Sequence, residues 1–127
     1  MSAPSKDIRF IIDGILFEYD EAKNKLNIQK HGLSFETAAR VFFDYDRLEL
    51  YDKMHSTEED RYNTIGDLNA GGMVIGSAPG ADAEIIFVVY TERQRRMANG
   101  IETDIIRFIS ARVANSFERG LYYGKRY

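Results

Sequence analysis

The run Ile85–Thr91, IIFVVYT, is an unbroken series of β-branched and aromatic side chains. Such a run suits a strand in the interior of a sheet, because it presents no polar face to water. A chain containing it must supply strands to flank it and helices to cover it.

The candidate neighbours lie on both sides in sequence. Asp104–Ser110, DIIRFIS, reads as the next strand, with Ile106, Phe108 and Ser110 on one face and Ile105, Arg107 and Ile109 on the other. Between the two runs, Arg93 to Asp104 is charged and contains Gly and Asn, so it is a flexible loop or a protruding arm. Upstream, Arg61–Leu68 and Met73–Ile75 flank Asn69-Ala70-Gly71-Gly72 and read as a hairpin, and RLELYD alternates as a half-buried strand. Phe10–Ile12 and Ile15–Tyr19 are separated by Asp13-Gly14, a tight-turn dipeptide, while residues 1–9 read as a loose terminus.

Three segments have helical character. Asp20 is an N-cap and Gly32 a C′ residue for a helix between them, on which Lys23, Asn27, Lys30 and His31 share one face and Ala22, Leu26 and Ile28 the other. The polar edge either meets phosphate or is simply solvated. Ser34 caps a second helix, Phe35 to Phe43, with Phe35, Ala38, Ala39, Phe42 and Phe43 as a core stripe. Arg112 to Tyr123 is helix-permissive, with Val113, Phe117 and Leu121 at i, i+4 and i+8. The fold class is α+β: a predominantly antiparallel sheet with an N-terminal helical hairpin and a C-terminal helix, in one domain spanning 1–127.

With no cysteine and two histidines, thiolate zinc sites, cysteine nucleophiles and histidine-rich metal sites are excluded as expectations. No apolar run is long enough to cross a bilayer and no secretory leader is evident, so a cytoplasmic protein is expected. The net charge is −3, but its distribution is uneven: residues 1–90 hold 9 Lys and Arg against 16 Asp and Glu, and residues 91–127 hold 8 against 4.

Three arginines stand out. Arg107, flanked by isoleucines on a strand, needs an anion, either a ligand or a structural partner such as Asp104 or a cross-strand carboxylate. Arg112 sits near a helix start, and Arg61 opens a strand after Glu58-Glu59-Asp60. From neighbouring strands on one face, Arg61 and Arg107 would form a fork for phosphate.

Taken in order, FEYDEAKNKLNIQKHGLSFETAARVFFDYDRLELYD, EEDRYNTIG, IIFVVYTER and IIRFISARVANSFERGLYY resemble the BrnT family over about residues 17–123. The resemblance implies a RelE-like ribonuclease toxin of a type II toxin–antitoxin system that needs no metal or cofactor. It implies an RNA substrate, a small DNA-binding antitoxin of the BrnA type, and operator DNA reached only through their complex; a homo-oligomer is left open. Carried over by motif, Glu59 is the base candidate, Arg61 and Arg107 steady the phosphorane, and His31 is acid or phosphate ligand. Lys23, Lys30 and Arg112 hold flanking phosphates, and Arg93, Arg95 and Arg96 on the arm are either RNA contacts or a solvated tip. The acidic net charge departs from the basic character usual in such toxins, and supports an alternative, a non-catalytic member acting as a protein-binding co-repressor module.

Overall fold

The computed structural model describes residues 5–72, 76 and 82–124. The chain begins with a β-hairpin: β1 (Asp7–Ile12) and β2 (Ile15–Asp20) pair antiparallel around Asp13-Gly14. Both turn residues have positive φ, 48° and 80°, as a two-residue turn matched to strand twist requires. Part of the segment expected to be loose is therefore strand, and the N-terminal helical hairpin is not found, because strands come first.

Helix α1 (Glu21–His31) has the expected caps. Asp20 accepts from the N–H groups of Ala22 and Lys23, and Gly32, at φ 66°, donates its N–H to the Ile28 carbonyl. Its docking residue lies on the face expected to be polar, while the other face, with too few apolar groups for deep burial, is exposed. Leu26 and Ile28 are exposed, whereas Asn27 is only 6% exposed. The Asn27 amide accepts from Ala111 N–H at 3.1 Å and donates to the Ala111 and Leu33 carbonyls at 2.8 Å. It stands in for a strand residue where the parallel pairing of β6 with β2, at Phe17–Ile106 and Glu18–Arg107, has ended. Asn24 likewise accepts from Phe35 N–H. The polar face expected to be continuous is thus split, with Asn27 turned inward.

Helix α2 (Phe35–Ala38) is capped by Ser34 and tightens into a 3₁₀ turn, Ala39–Phe43, with Phe35, Ala38, Ala39 and Phe42 buried as the stripe requires. Then follow β3 (Leu48–Tyr51), β4 (Arg61–Asp67), β5 (Ile85–Arg96), β6 (Glu102–Val113) and α3 (Ser116–Gly124). The sheet order is β1-β2-β6-β5-β4-β3, antiparallel except for β2 beside β6. The Ile85–Thr91 run is interior, as its composition demands. β3 lies at an edge and is mostly exposed rather than half-buried. β4 pairs with β3 and β5, while its expected partner Met73–Ile75 lies outside the described residues. The segment Arg93 to Asp104 is an arm: pairing continues to Arg96 opposite Glu102.

One sheet face carries the main core, where Phe17, Phe35 and Phe108 stack with ring centroids 5.4–5.6 Å apart beneath α2. A bulge in β6 pairs Phe108 with Tyr90 and Ser110 with Val89, leaving Ile109 extra. It corrects the expected alternation: Ala111 joins the core with Phe108, and Ser110 turns to the opposite face. At one end of that face α3 buries Tyr122 against Ile65 and Ala114, and the Tyr122 hydroxyl donates to Asp44 at 2.6 Å. The expected stripe Val113, Phe117 and Leu121 is exposed instead, since Val113 still belongs to β6 and the helix begins at Ser116.

Candidate active site

Beyond α3, the face opposite the main core is open and holds a groove of about 400 Å³ lined by Asp52, His55, Arg61, Asn63, Phe87, Val89, Ile109, Ser110 and Arg112. The loop before β4 forms one wall because Ser56 pins it: its hydroxyl donates to the Asp52 carbonyl at 2.6 Å and accepts from Arg61 N–H at 2.8 Å. That fold lets the Asp52 carboxylate reach His55 Nδ1 at 2.8 and 3.0 Å. With the Nδ1 proton held there, Nε2 is the free ring nitrogen and can take up a proton.

Arg61 and Arg112 are the cations of the groove. Arg112 is fixed by a bidentate bond to Glu118 at 2.7 and 2.8 Å, and its guanidinium lies 4.5 Å from the Phe87 ring centre. Glu118 and Asn115 also cap α3 reciprocally, each side chain accepting from the other's backbone N–H. One carboxylate thus starts the helix and aims the arginine. Burial raises the Glu118 carboxyl, but the Arg112 and Asn115 bonds outweigh it, and the result lies below the ordinary value. The Arg61 guanidinium has no hydrogen-bonding or ionic partner among the described residues, and neither has the buried Asn63 Oδ1.

A second cationic assembly lies further along the same face. Glu18 is fully buried and accepts from Arg9 Nε at 3.0 Å, from Arg95 at 3.2 and 3.3 Å, and from Arg107 at 2.6 Å. Burial alone pushes this carboxyl up; the bonds from Arg95, Arg107 and Arg9 override that and bring it to about 2. Arg107 also donates to Asp7 at 3.1 Å.

Residues 19–118 match the family model described as ribonuclease toxin, BrnT, of type II toxin–antitoxin systems. The chain belongs to the BrnT family. A search of curated proteins finds no match. The matched span of this BrnT-family chain includes every residue lining the groove, whereas Arg9 and Glu18 fall before it.

The residues singled out in the sequence of this family member separate into four places. Arg61 and Arg112 meet at the groove. Arg107 shares a rung with Arg61 but two strands away, with Thr91 between them, so the two do not form a fork from neighbouring strands. Its anion is the cross-strand carboxylate Glu18, together with Asp7. Glu59 is held bidentately by Arg93 at 3.0–3.2 Å. Lys23, Lys30 and His31 lie exposed on α1, and His31 lines a different groove of about 390 Å³ with Leu33, Leu68 and Val113. His55 and Asp52 were not singled out, although their i, i+3 spacing in a loop is a usable signal; Ser110 was hidden by the bulge. Among the described residues no group of three or more His, Cys, Asp or Glu could hold a metal ion, and no helix is long and apolar enough to cross a membrane.

Proposed function

We propose that this chain is a RelE-like endoribonuclease toxin that cleaves RNA at the groove between β4 and β6 by attack of a 2′-OH on the adjacent phosphorus. The observation that carries the reading is that the Asp52–His55 pair lines one cavity together with Arg61 and Arg112. His55 Nε2 takes the 2′-OH proton, with Asp52 holding the ring in place through Nδ1. Arg61, which has no described partner to release, and Arg112, aimed by Glu118, neutralise the charge growing on the phosphorane oxygens. Asn63 and Ser110 offer hydrogen bonds from the groove floor to the same phosphate. The leaving 5′ oxygen takes its proton from solvent water as its P–O bond breaks, giving a 2′,3′-cyclic phosphate on one fragment and a 5′-hydroxyl on the other, with no metal in the step.

Glu59 and Arg107 then serve the site indirectly, since Arg93 and Glu18 already hold them. His31, Lys30 and Lys23 lie off this groove and contact other parts of the substrate or the partner. A small DNA-binding antitoxin of the BrnA type inhibits the enzyme by covering the groove and its cations, because an acidic or helical segment there displaces the phosphate. The complex reaches operator DNA through the antitoxin.

The test is induced expression beside purified cleavage assays in EDTA. Wild type should arrest growth and leave 2′,3′-cyclic ends, and His55→Ala and Arg61→Ala should each lose about 10²–10⁴-fold in rate while remaining folded. A folded wild type that leaves RNA intact would favour the co-repressor module that the net charge of −3 supports.

A further inference from the structure

The Glu18 assembly holds more positive charge than a buried ion pair needs. One buried carboxylate is neutralised by one arginine, yet Arg9, Arg95 and Arg107 all converge on it, and Asp7 offsets only one of the remaining two charges. Gathering like charges is costly unless a further anion joins them. The free donors show where that anion would bind. Arg107, with its side chain 14% exposed, uses both terminal nitrogens on Glu18 and Asp7. Arg9, 41% exposed, commits only Nε, and Arg95, 31% exposed, leaves Nη1 uncommitted among the described residues.

Register places this cluster in line with the groove. Arg61, Thr91, Arg107, Glu18 and Arg9 form one rung across β4, β5, β6, β2 and β1. Side chains on a rung share a face, and four strand spacings cover about 19 Å. We infer that Arg9 and Arg95, pinned with Arg107 on Glu18, form a second backbone-phosphate subsite, so that single-stranded RNA crosses the strands from the groove towards the β1 edge. A polynucleotide fits better than an acidic peptide because the cations recur along a line, as backbone phosphates do, and guanidinium donors match phosphate oxygens. The identity of the polymer rests on the ribonuclease reading above; the subsite itself rests on the rung and the free donors.

The experiment measures binding of 2′-O-methyl oligonucleotides, which lack the attacking hydroxyl, by fluorescence anisotropy over a range of salt. Wild type should bind an octanucleotide more tightly than a dinucleotide and with a steeper salt dependence. Arg9→Ala/Arg95→Ala should weaken octanucleotide binding about tenfold and reduce the slope of log K against log salt by about 0.7 for each phosphate no longer neutralised. Arg9→Lys/Arg95→Lys should recover most of that slope, which a packing defect would not allow. Wild-type affinity and slope in the alanine variant, an equal loss on both oligonucleotides, or a loss confined to antitoxin binding would each overturn the subsite. Because the probe cannot be cleaved, a wild type that binds it but never cuts RNA would refute the ribonuclease reading and leave the subsite standing.

Discussion

Replacing Asn27 with Leu tests the most unusual contact of the fold, a helix docked through an amide instead of an apolar face. The substitution keeps side-chain size but removes three buried bonds, to Ala111 N–H, Ala111 C=O and Leu33 C=O. Each such bond is worth about 1 kcal/mol net, and an orphaned buried peptide group costs about 1–3 kcal/mol. New apolar contact recovers part of this, which leaves a loss of about 3–5 kcal/mol. Against a total of about 5–15 kcal/mol for a domain of this size, that is severe. Unfolding entropy scales with chain length, so the midpoint should fall by roughly 12–20 °C. Urea and thermal unfolding followed by far-UV circular dichroism measure both. Leu26→Ala is the control: Leu26 neighbours Asn27 on α1 but is 52% exposed, and its loss should stay within about 1 kcal/mol. An Asn27→Leu protein within 1 kcal/mol of wild type, or no worse than Leu26→Ala, would refute the view that this amide completes the β6 edge.

Two further outcomes follow from buried carboxylates. The folded-state pKa of Glu18, about 2, lies below its ordinary 4.5, so its stabilising contribution is complete above pH 4.5 and is lost as pH falls from there towards 2. Glu18→Gln should flatten the fall in unfolding free energy over that interval, and an unchanged acid limb would refute the assignment. Tyr122→Phe removes the 2.6 Å bond to Asp44, a buried carboxylate that also accepts from the N–H groups of Asp46 and Asp67. Urea unfolding should report a loss of about 1.5–3 kcal/mol, because the remaining charge is under-satisfied.

The elements governed by local chemistry were legible in the sequence. Asp13-Gly14, the caps Asp20, Gly32 and Ser34, and the Phe35–Phe42 stripe each depend on neighbours within a few residues, and each is where the pattern placed it. At α1 the apolar positions Leu26 and Ile28, too few for deep burial, are indeed exposed, but the helix docks through an amide, which hydrophobic periodicity does not detect. At α3 the count of apolar positions began inside β6 and selected the exposed side, while Glu118 and Tyr122, also four apart, face inward. The site divided along the same line. That Arg61 and Arg112 deserved attention was readable from residue type. That Arg107 would be taken by Glu18 was not, since the two are 89 residues apart and meet only through the parallel β2–β6 pairing.

The acidic net charge, which favoured a binding module at the level of composition, has less force once the carboxylates are located. Glu18 lies beneath its arginines, Glu118 lies behind Arg112, and Glu59 lies beside Arg93, so each orients a guanidinium on the open face. A carboxylate placed behind a guanidinium removes a formal charge but leaves the outward N–H donors in place, and it spares an incoming phosphate the entropy of ordering that arginine. Formal charge elsewhere on the molecule is screened beyond about 8 Å at physiological salt. The sign of the total is therefore a weak guide to polyanion binding here; the arrangement of donors on the rung from Arg61 to Arg9 is the stronger one.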